Sequence, residues 1–175
     1  LRRVIAAHGD PKKIVFSGVG KTSEEIKLAI ENNILAFNIE SEDELTRIQE
    51  IAKSLSKQAS ISIRVNPDVN ANTHPYISTG LKENKFGVSE ESALNLYKKA
   101  KKMDSILIKG IDCHIGSQIT DLKPFEDSIK KLIALIDKLE VEGIKIKHMD
   151  IGGGIGISYE DEKAIPCLLY TSPSP

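Results

Sequence analysis

The sequence of 175 residues predicts an α/β fold built on a parallel sheet. Apolar strand-like segments alternate five times with amphipathic helical segments along the chain. The predicted strands are rich in Ile and Val and look apolar on both faces, as in sheets that helices cover on each side. Each predicted helix also supplies the crossover that two parallel strands need.

The predicted strands end at polar or glycine-rich segments, and they cover residues 13–18, 34–40, 60–66, 106–116 and 146–151. Three of the helices follow hydroxyl-bearing residues that can cap a first turn, namely Thr22 or Ser23, Ser41 and Ser89. A long amphipathic helix over 122–142 ends at Gly143, a typical C-terminal glycine.

Two architectures use this alternation of strand and helix. One is an open, doubly wound sheet. The other is a (β/α)8 barrel, which needs about 250 residues. Five units cannot close an eight-stranded barrel, so the sequence predicts either an open sheet or part of a barrel.

The composition excludes several classes of partner. A formal net charge of −1 argues against a nucleic acid or an anionic membrane, both of which favour a basic face. There is no apolar run of about 18 residues, so no transmembrane helix is predicted. Two cysteines are too few for a disulfide framework and indicate a reducing, cytoplasmic location.

The carboxyl ends of parallel strands are where α/β folds bind ligands. In this sequence those ends are polar or glycine-rich: Ser17–Gly18, Asn38–Ser41, Arg64 and Asn66, His114–Gln118, and Asp150–Gly156. We therefore expect a small-molecule site at this edge of the sheet.

Three consecutive glycines, Gly152, Gly153 and Gly154, follow the last predicted strand. Successive backbone N–H groups without side chains can converge on an anion, most often a phosphate. The alternative is a tight turn that needs positive φ angles.

The segment "CHIGSQ" ends the fourth predicted strand. Cys113 and His114 are adjacent and point to opposite faces, which excludes a Cys–His nucleophile pair or a two-ligand metal site, and no metal is predicted. His114 either contacts a flat ring or carries protons at the ligand mouth, or it is a core histidine bonded to a carbonyl. Gly116 and Ser117 beside it favour an anion or phenolate contact.

Arg64 is a charged residue within an apolar strand, which is costly unless the charge is paired. It either faces a ligand oxyanion or reaches solvent from an edge strand.

The loop 67–87 follows Arg64 and is long enough to predict a function, because structureless loops beyond about 12–15 residues are uncommon. We expect this loop to recognise substrate, although it could instead contact a partner subunit; the candidate residues are Thr73, His74, Ile77, Ser78 and Thr79.

Five segments together resemble a known family: "SGVGKT", "RVNPDV", "THPYISTGLKENKFG", "CHIGSQI" and "DIGGGIGI". In this order they are similar to the diaminopimelate decarboxylases, which belong to the alanine-racemase-like (fold type III) pyridoxal-phosphate enzymes. The resemblance covers residues 1–164. It implies a fragment of a parallel (β/α)8 TIM barrel with about five βα units, whose β-rich C-terminal domain is missing from the chain.

The resemblance also implies roles for individual residues. Gly152, Gly153 and Gly154 would bind the phosphate of pyridoxal 5'-phosphate, and His114 would lie against the face of its ring. Ser117 would lie near the phosphate and ring substituents, and Arg64 near the ring phenolate. The implied reaction converts meso-2,6-diaminopimelate to L-lysine and CO2, the last step of lysine biosynthesis, in a homodimer.

The resemblance places the Schiff-base lysine upstream of residue 1 and the catalytic cysteine downstream of the chain. We therefore assign no catalytic residue and expect the chain by itself to be inactive. Residues 165–175 lack the pattern of the barrel and are predicted to be a non-native or disordered tail. Three alternatives remain: an ornithine- or arginine-type decarboxylase, a non-catalytic pyridoxal-phosphate-binding barrel protein, and an unrelated phosphate-binding barrel or flavodoxin-like module.

Overall fold

Five parallel strands form one sheet in the computed structural model, which describes residues 1–69 and 86–157. The strands are β1 Val15–Phe16, β2 Ala36–Ile39, β3 Ala59–Arg64, β4 Ile106–Asp112 and β5 His148–Asp150. The helices are α1 Arg2–Ala6, α2 Ser23–Glu31, α3 Glu42–Ser54, α4 Glu90–Ala100 and α5 Lys123–Val141, with a 3-10 turn at Pro11–Lys13. The predicted tail, 165–175, lies outside the described residues.

The strand order is β1-β2-β3-β4-β5, the same as the order along the chain. A doubly wound sheet reverses its direction at a switch point, and this sheet has no reversal among the described strands. Successive right-handed crossovers in one direction place every helix on the same side of the sheet. The sheet is therefore a curled half-barrel, which confirms the barrel prediction, and the open doubly wound alternative is wrong.

Three helices begin after the predicted hydroxyl-bearing caps, and α5 lies within the predicted range 122–142. The Thr22 hydroxyl accepts the Glu25 N–H while the Glu25 carboxylate accepts the Thr22 N–H, which makes a reciprocal capping box. Ser41 and Ser89 each accept a hydrogen bond from the backbone N–H three residues on. Gly143 follows α5 with a φ of +69°, the left-handed conformation that glycine adopts at low cost.

The hydrophobic core lies between one face of the sheet and the helices. From the strands it contains Phe37, Ile39, Ile61, Ile63 and Ile111, and from the helices Ile26, Leu45, Ile48, Leu132, Leu135 and Leu139, among others. These side chains are almost fully buried. Within the described ranges, no helix has the length and apolar character that crossing a membrane requires.

The opposite face of the sheet is polar, which corrects the prediction that the strands are apolar on both faces. Registered neighbours in a parallel sheet point to the same side, and here Asn38 pairs with Ser62 while Arg64, Asp112 and Asp150 form a row across three strands. The alternation was obscured in the sequence because these polar residues are single positions between Ile, Phe and Cys. The polar face is the inner side of the curled sheet.

A bulge between β3 and β4 is stabilised by α4. The register advances by one extra residue on β4 between the pairs Ile61–Ile108 and Ser62–Gly110. The buried Tyr97 hydroxyl donates to the Gly110 carbonyl at 2.7 Å and accepts the Ile63 N–H at 3.4 Å. Tyr97 thereby anchors α4 to the strand ends that carry Arg64 and Asp112.

Candidate functional site

The loops that follow β4 and β5 lie against each other at the carboxyl edge of the sheet. The Ile119 N–H donates to the Gly154 carbonyl, and the Gly156 N–H donates to the Ile119 carbonyl, both at 2.8 Å. These two bonds continue the parallel pairing beyond the strands through the bridge of Ile119 with Ile155. The "CHIGSQ" segment and the triple glycine therefore form one surface.

Two of the three glycines are required by close backbone contact. Gly152 and Gly154 have φ angles of +73° and +90°. A Cβ at Gly152 would lie 2.6 Å from the Cys113 carbonyl oxygen, and one at Gly154 would overlap the Gly116 carbonyl. The tight turn with positive φ is thus present, and it brings the glycine loop onto residues 113–117.

Gly153 differs from its neighbours, because a Cβ there would meet no heavy atom within 4 Å. Its N–H donates to Nδ1 of His114 at 3.3 Å, and the Gly152 N–H donates to Asp150 at 2.9 Å. Among the described residues, no acceptor pairs with the Gly154 N–H. The loop therefore leaves the Gly154 N–H as a backbone donor for an anion, next to the open surface at Gly153.

His114 is half-buried two residues beyond the end of β4. Burial, and then the nearby positive charge of Arg64, lower its pKa. The imidazole is therefore neutral at pH 7, and because its Nδ1 accepts a hydrogen bond, its proton is on Nε2.

Cys113 points to the opposite face and is buried in the core, as predicted, and burial raises its pKa to about 12.

Arg64 is on the central strand of the sheet, and its side chain is only 11% exposed. Its Nη1 donates to the two carboxylate oxygens of Glu40 at 3.0 and 3.2 Å. The ring of Phe86 lies 5.7 Å from the guanidinium carbon. The solvent-facing alternative is therefore wrong, since Arg64 is paired and points along the inner face.

The backbone N–H of Glu40 contacts a second buried ion pair, formed by Lys21 and Glu44. The Lys21 ammonium donates to the carbonyls of Gly18 and Asn38 at 2.6 and 2.8 Å, and to Glu44 at 2.7 Å. The second carboxylate oxygen of Glu44 accepts the Glu40 N–H at 2.7 Å. Lys21 and Glu44 thus hydrogen-bond to the backbone at the carboxyl end of β2, at Asn38 and Glu40.

Asp112 is a site residue that the sequence analysis missed. It is 4% exposed, and its register places it between Arg64 and Asp150. Burial, followed by the negative charge of Asp150, raises its pKa to about 7, against the opposing effect of Arg64. Asp112 is a charged residue within the apolar run "GIDC", just as Arg64 is a charged residue within an apolar strand. The same sequence signal could therefore have identified Asp112 as a candidate.

The structure brings together all six residues predicted to bind the cofactor: Arg64, His114, Ser117, Gly152, Gly153 and Gly154. Ser117 is exposed beside the glycine loop, and its Cα would lie 3.1 Å from a Cβ on Gly154. The predicted substrate-loop residues lie outside the described residues: Thr73, His74, Ile77, Ser78 and Thr79.

Comparison with known proteins assigns the chain to a family. Residues 1–169 match the family described as "Pyridoxal-dependent decarboxylase, pyridoxal binding domain". The chain belongs to this family.

Close relatives of the chain are called diaminopimelate decarboxylases. The one from Haemophilus influenzae is 57% identical over 162 residues, and the one from Pseudomonas aeruginosa 53% over 163 residues; each match covers 93% of this chain and 39% of the relative. The crystal structure of diaminopimelate decarboxylase from Helicobacter pylori complexed with L-lysine is 48% identical, with a TM-score of 0.92 over 97% of this chain and 43% of that one. The chain therefore spans about two fifths of the length of the relatives it matches.

Proposed function

We propose that this chain is part of the cofactor-binding barrel of a diaminopimelate decarboxylase. The full-length protein that carries this sequence is called the parent enzyme below. The observation that carries the proposal is the contact of the glycine loop, Gly152–Gly154, with the segment from His114 to Ser117. It supports a phosphate site and a ring site side by side, as pyridoxal phosphate requires.

The residues present fit pyridoxal phosphate in three respects. The N–H group of Gly154 and the hydroxyl of Ser117 can each donate a hydrogen bond to a phosphate oxygen. His114 offers a neutral imidazole face to an aromatic ring. Nε of Arg64 is a buried donor with no acceptor among the described residues, which suits the phenolate oxygen of the ring.

When bound, pyridoxal phosphate supplies an electron sink for the electron pair that loss of CO2 leaves behind. The residues of this chain bind and orient that group. Glu40 holds the guanidinium of Arg64 on the inner face, where its positive charge favours an ionised phenolate. The hydrogen bond from Gly153 fixes the His114 ring relative to the phosphate loop, so both contacts are positioned together.

The choice of diaminopimelate as substrate is supported by the names of the relatives and by the specific segment "THPYISTGLKENKFG". Diaminopimelate carries an ammonium and a carboxylate on its distal carbon, whereas lysine, ornithine and arginine have no carboxylate at that end. A site that binds both groups would leave its own polar partners unpaired with smaller substrates. We assign this discrimination to the loop, with Thr73, His74, Ile77, Ser78 and Thr79 as candidates.

Substrate competition in the parent enzyme tests the assignment. We expect CO2 release from diaminopimelate, and little from lysine, ornithine or arginine. A preference for ornithine or arginine would instead identify that type of decarboxylase. Cofactor binding without turnover would indicate a non-catalytic barrel protein, and phosphate binding without visible cofactor absorption an unrelated module.

Replacing residues 72–82 with a short Gly/Ser linker tests the loop itself. We expect the preference for diaminopimelate over ornithine to fall while the cofactor remains bound. An unchanged preference would mean that the loop does not recognise substrate and instead contacts the partner subunit of the predicted homodimer.

The chain by itself is expected to release no CO2 above free cofactor, because the resemblance places the Schiff-base lysine and catalytic cysteine elsewhere.

A further inference from the structure

The buried pair Lys21–Glu44 has no role in the binding scheme above. The two side chains are 1% and 9% exposed, and they are separated from the glycine loop by two strands. A buried ion pair is weak evidence for stability alone, since apolar residues of similar volume often stabilise a fold as well. This raises the question of what else the pair does.

The contacts form an unbroken chain from this pair to Arg64. Lys21 binds the Asn38 carbonyl, Glu44 accepts the Glu40 N–H, and the Glu40 side chain holds the Arg64 guanidinium. Every link is 3.0 Å or shorter. The pair therefore fixes the backbone position from which Glu40 reaches Arg64.

We propose that Lys21 and Glu44 are positioning residues, which act on the cofactor only through Glu40 and Arg64. The proposal rests on the proposed function, because it requires Arg64 to contact the cofactor. It predicts that Glu44 matters for cofactor binding only while Arg64 is present. A pair that served the fold alone would affect binding equally with or without Arg64.

The chain offers a matched control on the same helix. Glu42 is also in α3 and pairs with Lys99 at 2.6 Å, but the two side chains are 61% and 44% exposed. Both Glu42→Gln and Glu44→Gln remove one negative charge with almost no change of volume. Only Glu44→Gln alters the buried chain of contacts.

The experiment is a double-mutant cycle in the parent enzyme, with the dissociation constant of pyridoxal phosphate measured by absorbance titration. We expect Glu44→Gln to raise that constant about tenfold, and Glu42→Gln to change it less than about twofold. In an Arg64→Met background, Glu44→Gln should change it less than about twofold, because both substitutions act through one group. Thermal unfolding of each variant separates binding from stability.

The outcomes distinguish this inference from the proposed function. An equal effect of Glu44→Gln in both backgrounds, or no effect in either, overturns the positioning role while Arg64 and the cofactor site stand. Failure of the unmodified parent enzyme to bind pyridoxal phosphate overturns the proposed function itself. If Glu44→Gln does not fold, Glu44→Asp keeps the charge, shortens its reach and enters the same cycle with the same criteria.

Discussion

Arg64 and Glu40 form a buried ion pair across the adjacent strands β2 and β3, with both carboxylate oxygens within 3.2 Å of one guanidinium nitrogen. The side chains are 11% and 4% exposed. Arg64 places a positive charge on the inner face of the sheet, and the carboxylate of Glu40 neutralises it there. We therefore expect removal of the pair to lower stability and, under the proposed function, to weaken cofactor binding.

Glu40→Ala should destabilise the parent enzyme by at least about 2 kcal/mol, because it leaves the buried charge of Arg64 without its partner. The loss should be smaller than the roughly 3–5 kcal/mol of a fully isolated charge, since Asp112 stays close by. Denaturant unfolding measures the change. The exposed pair gives the control, as Glu42→Ala should cost no more than about 1 kcal/mol. Equal losses in the two variants would contradict the prediction.

Gly153→Val should weaken binding of pyridoxal phosphate by about tenfold or more while leaving the melting temperature unchanged. A side chain there enters open space and has no positive φ to strain it, so it blocks only an approaching ligand. Gly154→Ala is the contrasting variant, and it should destabilise the fold by about 1–3 kcal/mol, because its Cβ would overlap the Gly116 carbonyl at a φ of +90°. Unchanged cofactor affinity in Gly153→Val would refute the phosphate assignment.

His114→Ala should reduce decarboxylation about two- to tenfold, which corresponds to a ring-stacking contribution of about 0.5–1.5 kcal/mol. The cofactor should still bind, because the glycine loop keeps its backbone donors. Steady-state kinetics and the visible spectrum of the bound cofactor report the two effects separately. If the variant and the unmodified enzyme have the same kinetics, His114 does not contact the cofactor ring and has a structural role only.

Asp112→Asn should change how stability depends on pH. The pKa of Asp112 is raised from 3.8 to about 7, so the folded state binds the proton more tightly than the unfolded state does. The stability that this protonation contributes is fully present below about pH 4, and it is lost as pH rises through 7. The neutral amide of Asn removes that dependence.

The free energy of unfolding of both proteins, measured from pH 4 to pH 8, checks this sign. The advantage of Asp112→Asn should grow with pH, at no more than about 1.4 kcal/mol per unit. Parallel pH profiles would mean that Arg64 fully compensates the charge of Asp112. A variant that lost stability with rising pH relative to the unmodified protein would reverse the sign and contradict the burial argument.

Local patterns in the sequence were sufficient for much of the fold and for naming the candidate residues of the site. The caps at Thr22, Ser41 and Ser89 and the stop at Gly143 follow from hydrogen bonds within a few residues, which is why they were predictable. The opposite orientations of Cys113 and His114 follow from strand geometry alone. The six cofactor-binding candidates were found because strand ends converge at one edge of a parallel sheet.

The pairing of charges was decided only by the tertiary structure. Arg64 and Glu40 are 24 positions apart, and Lys21 and Glu44 are 23 positions apart, so no local pattern relates them. The strand order made the choice between a doubly wound sheet and a half-barrel, because either arrangement can follow from the same alternation of strand and helix. The polar inner face, with Asp112 between Arg64 and Asp150, likewise depends on register across three strands, which sets neighbours that the sequence keeps far apart.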